Sequence, residues 1–388
     1  MFLAAGHLSA QGLTVSGILD STVSLRAGAG DAPDFSWGLE EYANIRMQAK
    51  IRDSIVFHGA ANFIAAAEDS AAAAGLAAGE SYIAGAEFNH FYFGAELERL
   101  YFRLNGETVS LDAGLFRLPF GYGNVWGPSD FLNPKNPLKP DARPRAVLGA
   151  GFFWYPDDPW LASESSKLLI FGAAPRSLFL ETGDGGGFMG LSADQHWDRA
   201  SLQLLYSFEL PHSGAEQGIH RTGMSVKADL ELGLVMDILY TYNTGAGTGL
   251  DGLSFSAGFD YSFFEGNLIV LAEYLYNGAA SSTAFDMEKN ISGRLNKNYL
   301  YTGFTWRFND YTNTGIALLS GFDDLSFTPI ISLNHDLSQK IHLNITMQVP
   351  LDRDLLFGDG NRGELGPLPP GYTAGSYFNC SARIRIRF

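Results

Sequence analysis

The chain ends Ala382-Arg383-Ile384-Arg385-Ile386-Arg387-Phe388, apolar and charged residues in strict alternation with an aromatic at the terminus. Successive side chains of a strand point to opposite faces, so one face here carries Ala, Ile, Ile and Phe and the other three arginines. Neither face suits the core of a soluble protein. A transmembrane β-barrel accommodates both: the apolar face meets lipid, the arginines meet a water-filled lumen, and the terminal Phe sits in the interfacial aromatic girdle.

The same period recurs along the chain. Ile341, Leu343, Ile345, Met347 and Val349 alternate with His342, Asn344, Thr346 and Gln348. Met224, Val226, Ala228 and Leu230 alternate with Ser225, Lys227, Asp229 and Glu231. Leu253, Phe255, Ala257, Phe259 and Tyr261 alternate with Ser254, Ser256, Gly258, Asp260 and Ser262. Near the start, Leu39, Ala43, Ile45, Met47 and Ala49 interleave with Glu40, Tyr42, Asn44, Arg46, Gln48 and Lys50. Runs of about ten residues have the length that crosses a bilayer at a tilt.

Composition separates this from the helical kind of membrane protein. Mean hydropathy is -0.01, and no stretch approaches the ~18 uninterrupted apolar residues of a helical span. Aromatics at 13% and 45 glycines fit girdles and many turns. A formal charge of -16 argues against nucleic acid as a partner. The lone Cys380 shares the parity of Phe388, so it is expected to face lipid, and it can build no disulfide within the chain. Residues 1–11 carry a short apolar run and then Leu-Ser-Ala-Gln, read as the residual tail of a secretory signal, with a single barrel domain over 12–388.

Short and long breaks alternate, as they must when strands run up and down through a membrane. Tight turns are expected at Arg52-Asp53, Asn105-Gly106, His196 to Asp198, Glu231 to Gly233, Glu265-Gly266, Asn309-Asp310 and Ser338-Gln339. Longer Gly-, Ala-, Ser- and Pro-rich loops are expected at 66–84, 120–147, 177–187, 211–219, 244–251, 278–298 and 354–374. The pattern predicts an all-β, antiparallel up-and-down barrel of about 18 strands, with 16 as the alternative; an even number leaves both ends on one side.

Loop 120–147 is unlike the others. Pro128, Pro134, Pro137, Pro140 and Pro144 forbid a regular ladder and stiffen it. Inside an acidic protein it is locally basic, with Lys135, Lys139, Arg143 and Arg145 against Asp130 and Asp141. Glu98 to Arg103, then Leu111 to Arg117, then Trp126-Gly127 with Asp130 and Asn133-Pro134, resemble the strand pair and following loop of bacterial outer-membrane porins, including substrate-selective ones. The strand end reads Gly114-Leu115-Phe116 before Arg117, where the family usually has Gly-Arg-Gln. The resemblance covers roughly residues 96 to 137. It implies a passive diffusion channel in the cell outer membrane for small hydrophilic solutes or ions, with no cofactor, and a third long loop folded inward. It also implies outer-membrane lipid around the wall, homotrimeric assembly, and recognition of Phe388 by the barrel-assembly machinery. Arg117, Asp130 and Asn133 carry over as constriction candidates, joined by the loop's basic residues. The competing reading is a loop that caps the barrel from outside.

Inward parity gives the expected lumen chemistry. Arg383, Arg385 and Arg387 form a ladder on the last strand, which must pair with the first to close the barrel, and Arg26, Arg46 and Lys50 lie on strands nearby. Asp229, Glu231, Asp237, Asp260 and Glu273 are expected farther around the wall. Two readings stand side by side: a transverse field across the lumen, or cross-strand ion pairs with Asp20 and Glu40 as partners of the arginines. The eight histidines are scattered, no Gly-x-Ser-x-Gly elbow occurs, and no metal-ligand spacing stands out, so an enzyme is not expected. An adhesin acting through its loops and a hydrophobic-solute transporter remain the alternatives. The second would need a plug, for which the early onset of strands leaves no room.

Overall fold

In a computed structural model the chain folds as one sheet closed on itself. The described residues are all except 1–8, 11, 29–34, 68–83, 89–90, 133–134, 136–145, 175–186, 212–217, 244–249, 279–296, 324, 350 and 352–376.

The strands run in chain order. First come β1 (Ser9–Ala10), β2 (Leu13–Gly28), β3 (Phe35–Arg52), β4 (Ile55–Ala67), β5 (Ala84–Phe88), β6 (Phe91–Asn105), β7 (Val109–Phe116) and β8 (Val147–Trp154). They are followed by β9 (Ser165–Ala173), β10 (Phe188–Trp197), β11 (Ala200–Glu209), β12 (Ile219–Asp229), β13 (Gly233–Asn243) and β14 (Leu253–Phe263). The ring ends with β15 (Leu268–Asn277), β16 (Asn298–Asn309), β17 (Thr312–Gly321), β18 (Ser326–Ser338), β19 (Ile341–Gln348) and β20 (Tyr377–Arg387).

Two short strands stand outside the ring. β1 pairs only with the start of β2, and β5 pairs with the first residues of β6, above the point where the shorter β7 ends. The remaining 18 form a closed antiparallel barrel, each paired with its neighbours in sequence, and β20 closes against β2 from Ile18↔Arg387 to Gly28↔Tyr377. Closure removes every sheet edge, the condition for a strand-built wall in lipid. At the seam the main chains of Phe388 and Gly17 bond to each other, at 2.8 and 3.0 Å. A Cβ on Gly17 would lie 2.4 Å from the Phe388 ring, so the missing side chain makes room for the terminal aromatic.

All seven expected tight turns fall between paired strands. An eighth connection at that end, residues 155–164, was not anticipated; it contains Pro156, Pro159 and a short 3-10 turn at Trp160–Ala162, whose apolar residues read like strand. Cys380 sits opposite Leu25 and Met347 in the outward row, as its parity predicts.

The two faces of the wall differ as the alternation requires. Outward residues such as Ile45, Phe63, Leu100 and Ile170 are exposed, whereas inward Asn44, Asn62, Asp237 and Ser256 are buried although polar. One carboxylate breaks the outward rule: Glu41 stands in the row with Leu39, Ala43 and Ile45 and accepts a 2.6 Å hydrogen bond from Ser21 of β2.

The alternation also slips once in β6. Ala60 of β4 faces Arg99, and Ala61 faces Leu97, so Glu98 is an extra residue. Before this bulge Phe93, Ala95 and Leu97 point outward; after it Leu100, Phe102 and Leu104 do. Glu98 and Arg99 therefore both turn inward, the re-aiming that a bulge produces.

Candidate functional site

Residues 117–132 leave β7 and run along the inner face of the barrel. Leu118, Phe120 and Leu132 are buried at the root of this segment with Phe116, Val147, Leu169, Phe171, Phe188 and Leu205 of the adjoining wall. Beyond the root, the Gly121 N–H donates to Gln203 Oε1 of β11 at 2.7 Å. Three consecutive backbone N–H groups, of Asn124, Val125 and Trp126, then donate to the carboxylate of Glu273 on β15 at 3.0, 2.9 and 3.0 Å. Hydrogen bonds to an ionised acceptor are the strong ones, and three on one carboxylate fix the backbone as well as its position.

The Trp126 indole is fully buried against Leu275, Tyr299 and Leu319 on β15, β16 and β17. In a ring of 18 strands, β17 stands nearly opposite β7. Ser129 donates to Asp237 of β13 and, at 3.1 Å, to the Ile238 carbonyl, while Ser225 of β12 donates to the same Asp237 oxygen at 2.7 Å. Buried carboxylates need partners of this kind. The Lys135 ammonium donates to the Gly123 carbonyl within the segment. A Cβ on Gly123 would stand 1.7 Å from the Trp126 carbonyl oxygen, so this bend admits only glycine. Burial pushes the Tyr122 phenol above its ordinary range, and the charge of Asp194 adds to the effect.

Arg117, at the root of the segment, meets a second group of residues. Its Nη2 lies 2.6 Å from Glu98 Oε1, and Arg99 reaches the same oxygen through Nη2 at 3.1 Å and Nε at 3.2 Å. Asn44 Nδ2 donates to the other Glu98 oxygen, and Arg46 Nε donates to Asn44 Oδ1 at 2.6 Å. Asn62 connects this group to Glu96 at 2.9 Å.

The sequence-derived candidates divide accordingly. Arg117 and Arg46 come together; Asp130 is buried in the segment, its N–H bonded to the Gly127 carbonyl at 2.9 Å; Asn133, Lys139, Arg143 and Arg145 lie outside the described residues. Of the arginine ladder, Arg385 pairs with Asp20 through two 2.8 Å contacts across the seam. Arg383 faces Thr22 and Asn344, and Arg387 is exposed near the strand end. Lys50 stands near the end of β3, opposite Val56, and pairs with exposed Asp53 of the turn at 2.9 Å, which holds the Asp53 carboxyl below its usual range.

The acidic residues divide in the same way: Asp237, Asp260 and Glu273 stand in inward rows, and Glu231 leaves the wall. Asp237 and Glu273 lie beneath the inward segment instead of facing open water, because they accept its hydrogen bonds. Asp260 is reached by Asn124 Nδ2 at 3.5 Å, Asp229 ends β12 beside Lys227 at 3.3 Å, and Glu231 lies in the turn 230–232, off the wall. Glu98, Arg99, Asn44, Asn62 and Gln203 were not singled out from sequence. The signal for the first two was present as Leu97-Glu98-Arg99-Leu100, where apolar residues three apart mark a slip of parity.

These features define the fold of the outer-membrane porins: a closed 18-strand wall, an apolar outside and a segment laid along the inside. The fold resembles a BenF-like porin from Pseudomonas fluorescens Pf-5, with a TM-score of 0.60 and 9% identity over 97% of this chain and 99% of that one. It also resembles Acinetobacter baumannii OccAB4, with a TM-score of 0.56 and 13% identity over 97% and 99%. Pseudomonas aeruginosa OpdQ gives 0.56 and 10% over 98% and 99%. No protein-family model matches the chain, and no curated protein matches its sequence.

Proposed function

We propose that this protein is an outer-membrane porin, a water-filled channel for passive diffusion of small hydrophilic solutes, with residues 117–132 as the element that narrows the lumen. The observation that carries the reading is the bonding of Asn124, Val125 and Trp126 to Glu273, on the side of the ring away from β7. A segment rooted at β7 and held across the ring by the buried carboxylates of Asp237 and Glu273 and by the Trp126 indole supports a narrowed, selective pore. The exposed apolar outer rows suit lipid, and the Phe388 end supports recognition during barrel assembly. An export signal within residues 1–11 belongs to the same reading.

The test is single-channel recording of the refolded chain in a planar bilayer under a salt gradient. Discrete ohmic steps are expected. A folded barrel that never conducts would favour a loop-presenting surface protein. Replacing Lys135, Lys139, Arg143 and Arg145 with Ala should lower the preference for anions if the whole of loop 120–147 borders the pore.

A further inference from the structure

The Glu98 carboxylate is buried, 5% exposed, on a wall where neighbouring arginines stay partly open to the lumen. It accepts from Arg99, Arg117 and Asn44, and Asn44 in turn holds Arg46. Two guanidiniums, from β6 and the root of the inward segment, thus share one buried acceptor, a third from β3 is held to it through Asn44, and Glu96 is bonded into the same group through Asn62. The bulge makes this possible: in an unbroken strand, Arg99 would point outward when Glu98 points inward.

We propose that Glu98 is a specificity-determining residue of the channel, a buried counter-ion that both offsets and positions the guanidiniums of Arg46, Arg99 and Arg117 where the inward segment leaves the wall. The inference rests on the porin reading. A long side chain with many rotamers presents its charge diffusely, and one tied through two nitrogens to a buried carboxylate presents it at a fixed place. Removing the Glu98 charge leaves these three cations with one counter-charge fewer. A local potential more positive by one charge, a few ångströms from a passing ion, favours anions. Shortening the carboxylate keeps the charge and most of the geometry.

The experiment measures the reversal potential and unit conductance of the full chain in a planar bilayer under a potassium chloride gradient, with Glu98→Gln, Glu98→Asp, Arg99→Gln and Arg117→Gln alongside. Glu98→Gln should raise the chloride-to-potassium permeability ratio about threefold, from one elementary charge acting across a few ångströms of water. Glu98→Asp should restore the parent value, and the two arginine variants should move the ratio the other way. An unchanged ratio in Glu98→Gln at parental unit conductance would overturn the proposal. If Glu98→Gln does not fold, the arginine variants decide, and unchanged ratios in both overturn it equally. A parent chain that folds and never conducts refutes the porin reading itself, and this inference with it.

Discussion

Glu273 accepts the Trp126 backbone N–H at 3.0 Å, joining β15 to a segment that starts on the far side of the ring. The carboxylate takes two further N–H groups, and the indole of the same Trp126 is buried beside it. This carboxylate therefore holds the part of the inward segment farthest from β7. Glu273→Ala would leave three N–H groups without their acceptor, at about 1–3 kcal/mol for each one that stays buried. The expected result is a larger and noisier open-channel current with the barrel intact. Glu273→Gln, which keeps one acceptor oxygen, should show a smaller change in the same recordings.

Gly123 tests the segment from its own side. Because a Cβ there meets the Trp126 carbonyl oxygen, Gly123→Ala must displace the bend that presents the three N–H groups. The change should match Glu273→Ala in current noise and leave the unfolding of the barrel unaltered. A quiet, parental current in Gly123→Ala would show that the bend can shift without releasing the segment.

The seam offers a stability test. Asp20 is buried and Arg385 partly so, and their bidentate pair joins the first and last strands of the ring. Asp20→Asn should destabilise the barrel by about 2 kcal/mol, between the values for exposed and fully buried pairs. Urea unfolding in lipid vesicles measures this. The double variant Asp20→Asn with Arg385→Gln should lose less than the sum of the single losses.

Glu41 predicts a gain. A carboxylate in the outward apolar row, bonded only to Ser21 among the described contacts, is costly against lipid. Glu41→Leu should stabilise the refolded monomer by about 1 kcal/mol in the same urea assay. A loss of stability would mean that another protein surface covers this position.

The wall was legible in the sequence because a closed sheet with an apolar outer face and a polar inner one carries period two along its strands, and the last strand shows it without interruption. Turns were legible for the same reason, as the places where that period stops; residues 155–164 escaped because Trp160 and Leu161 continue the apolar pattern through a connection. The site was legible only in part. Five prolines marked loop 120–147 as stiff, and parity placed Asp237 and Glu273 on the inner face, but nothing in local sequence says that a residue near 126 reaches one near 273. That pairing is a property of ring closure. Glu98 and Arg99 were passed over because a strict alternation tolerates no slip, whereas a bulge inserts one at the position where two neighbouring polar residues are wanted on one face.

Unit conductance with the middle of the segment removed shows whether residues 117–132 narrow a conducting lumen. Residues 121–131 would be replaced by a short Gly-Ser linker, and single-channel steps compared with those of the parent chain. Steps several-fold larger are expected, with weaker discrimination between anion and cation. Steps of parental size from a correctly folded barrel would contradict this narrowing.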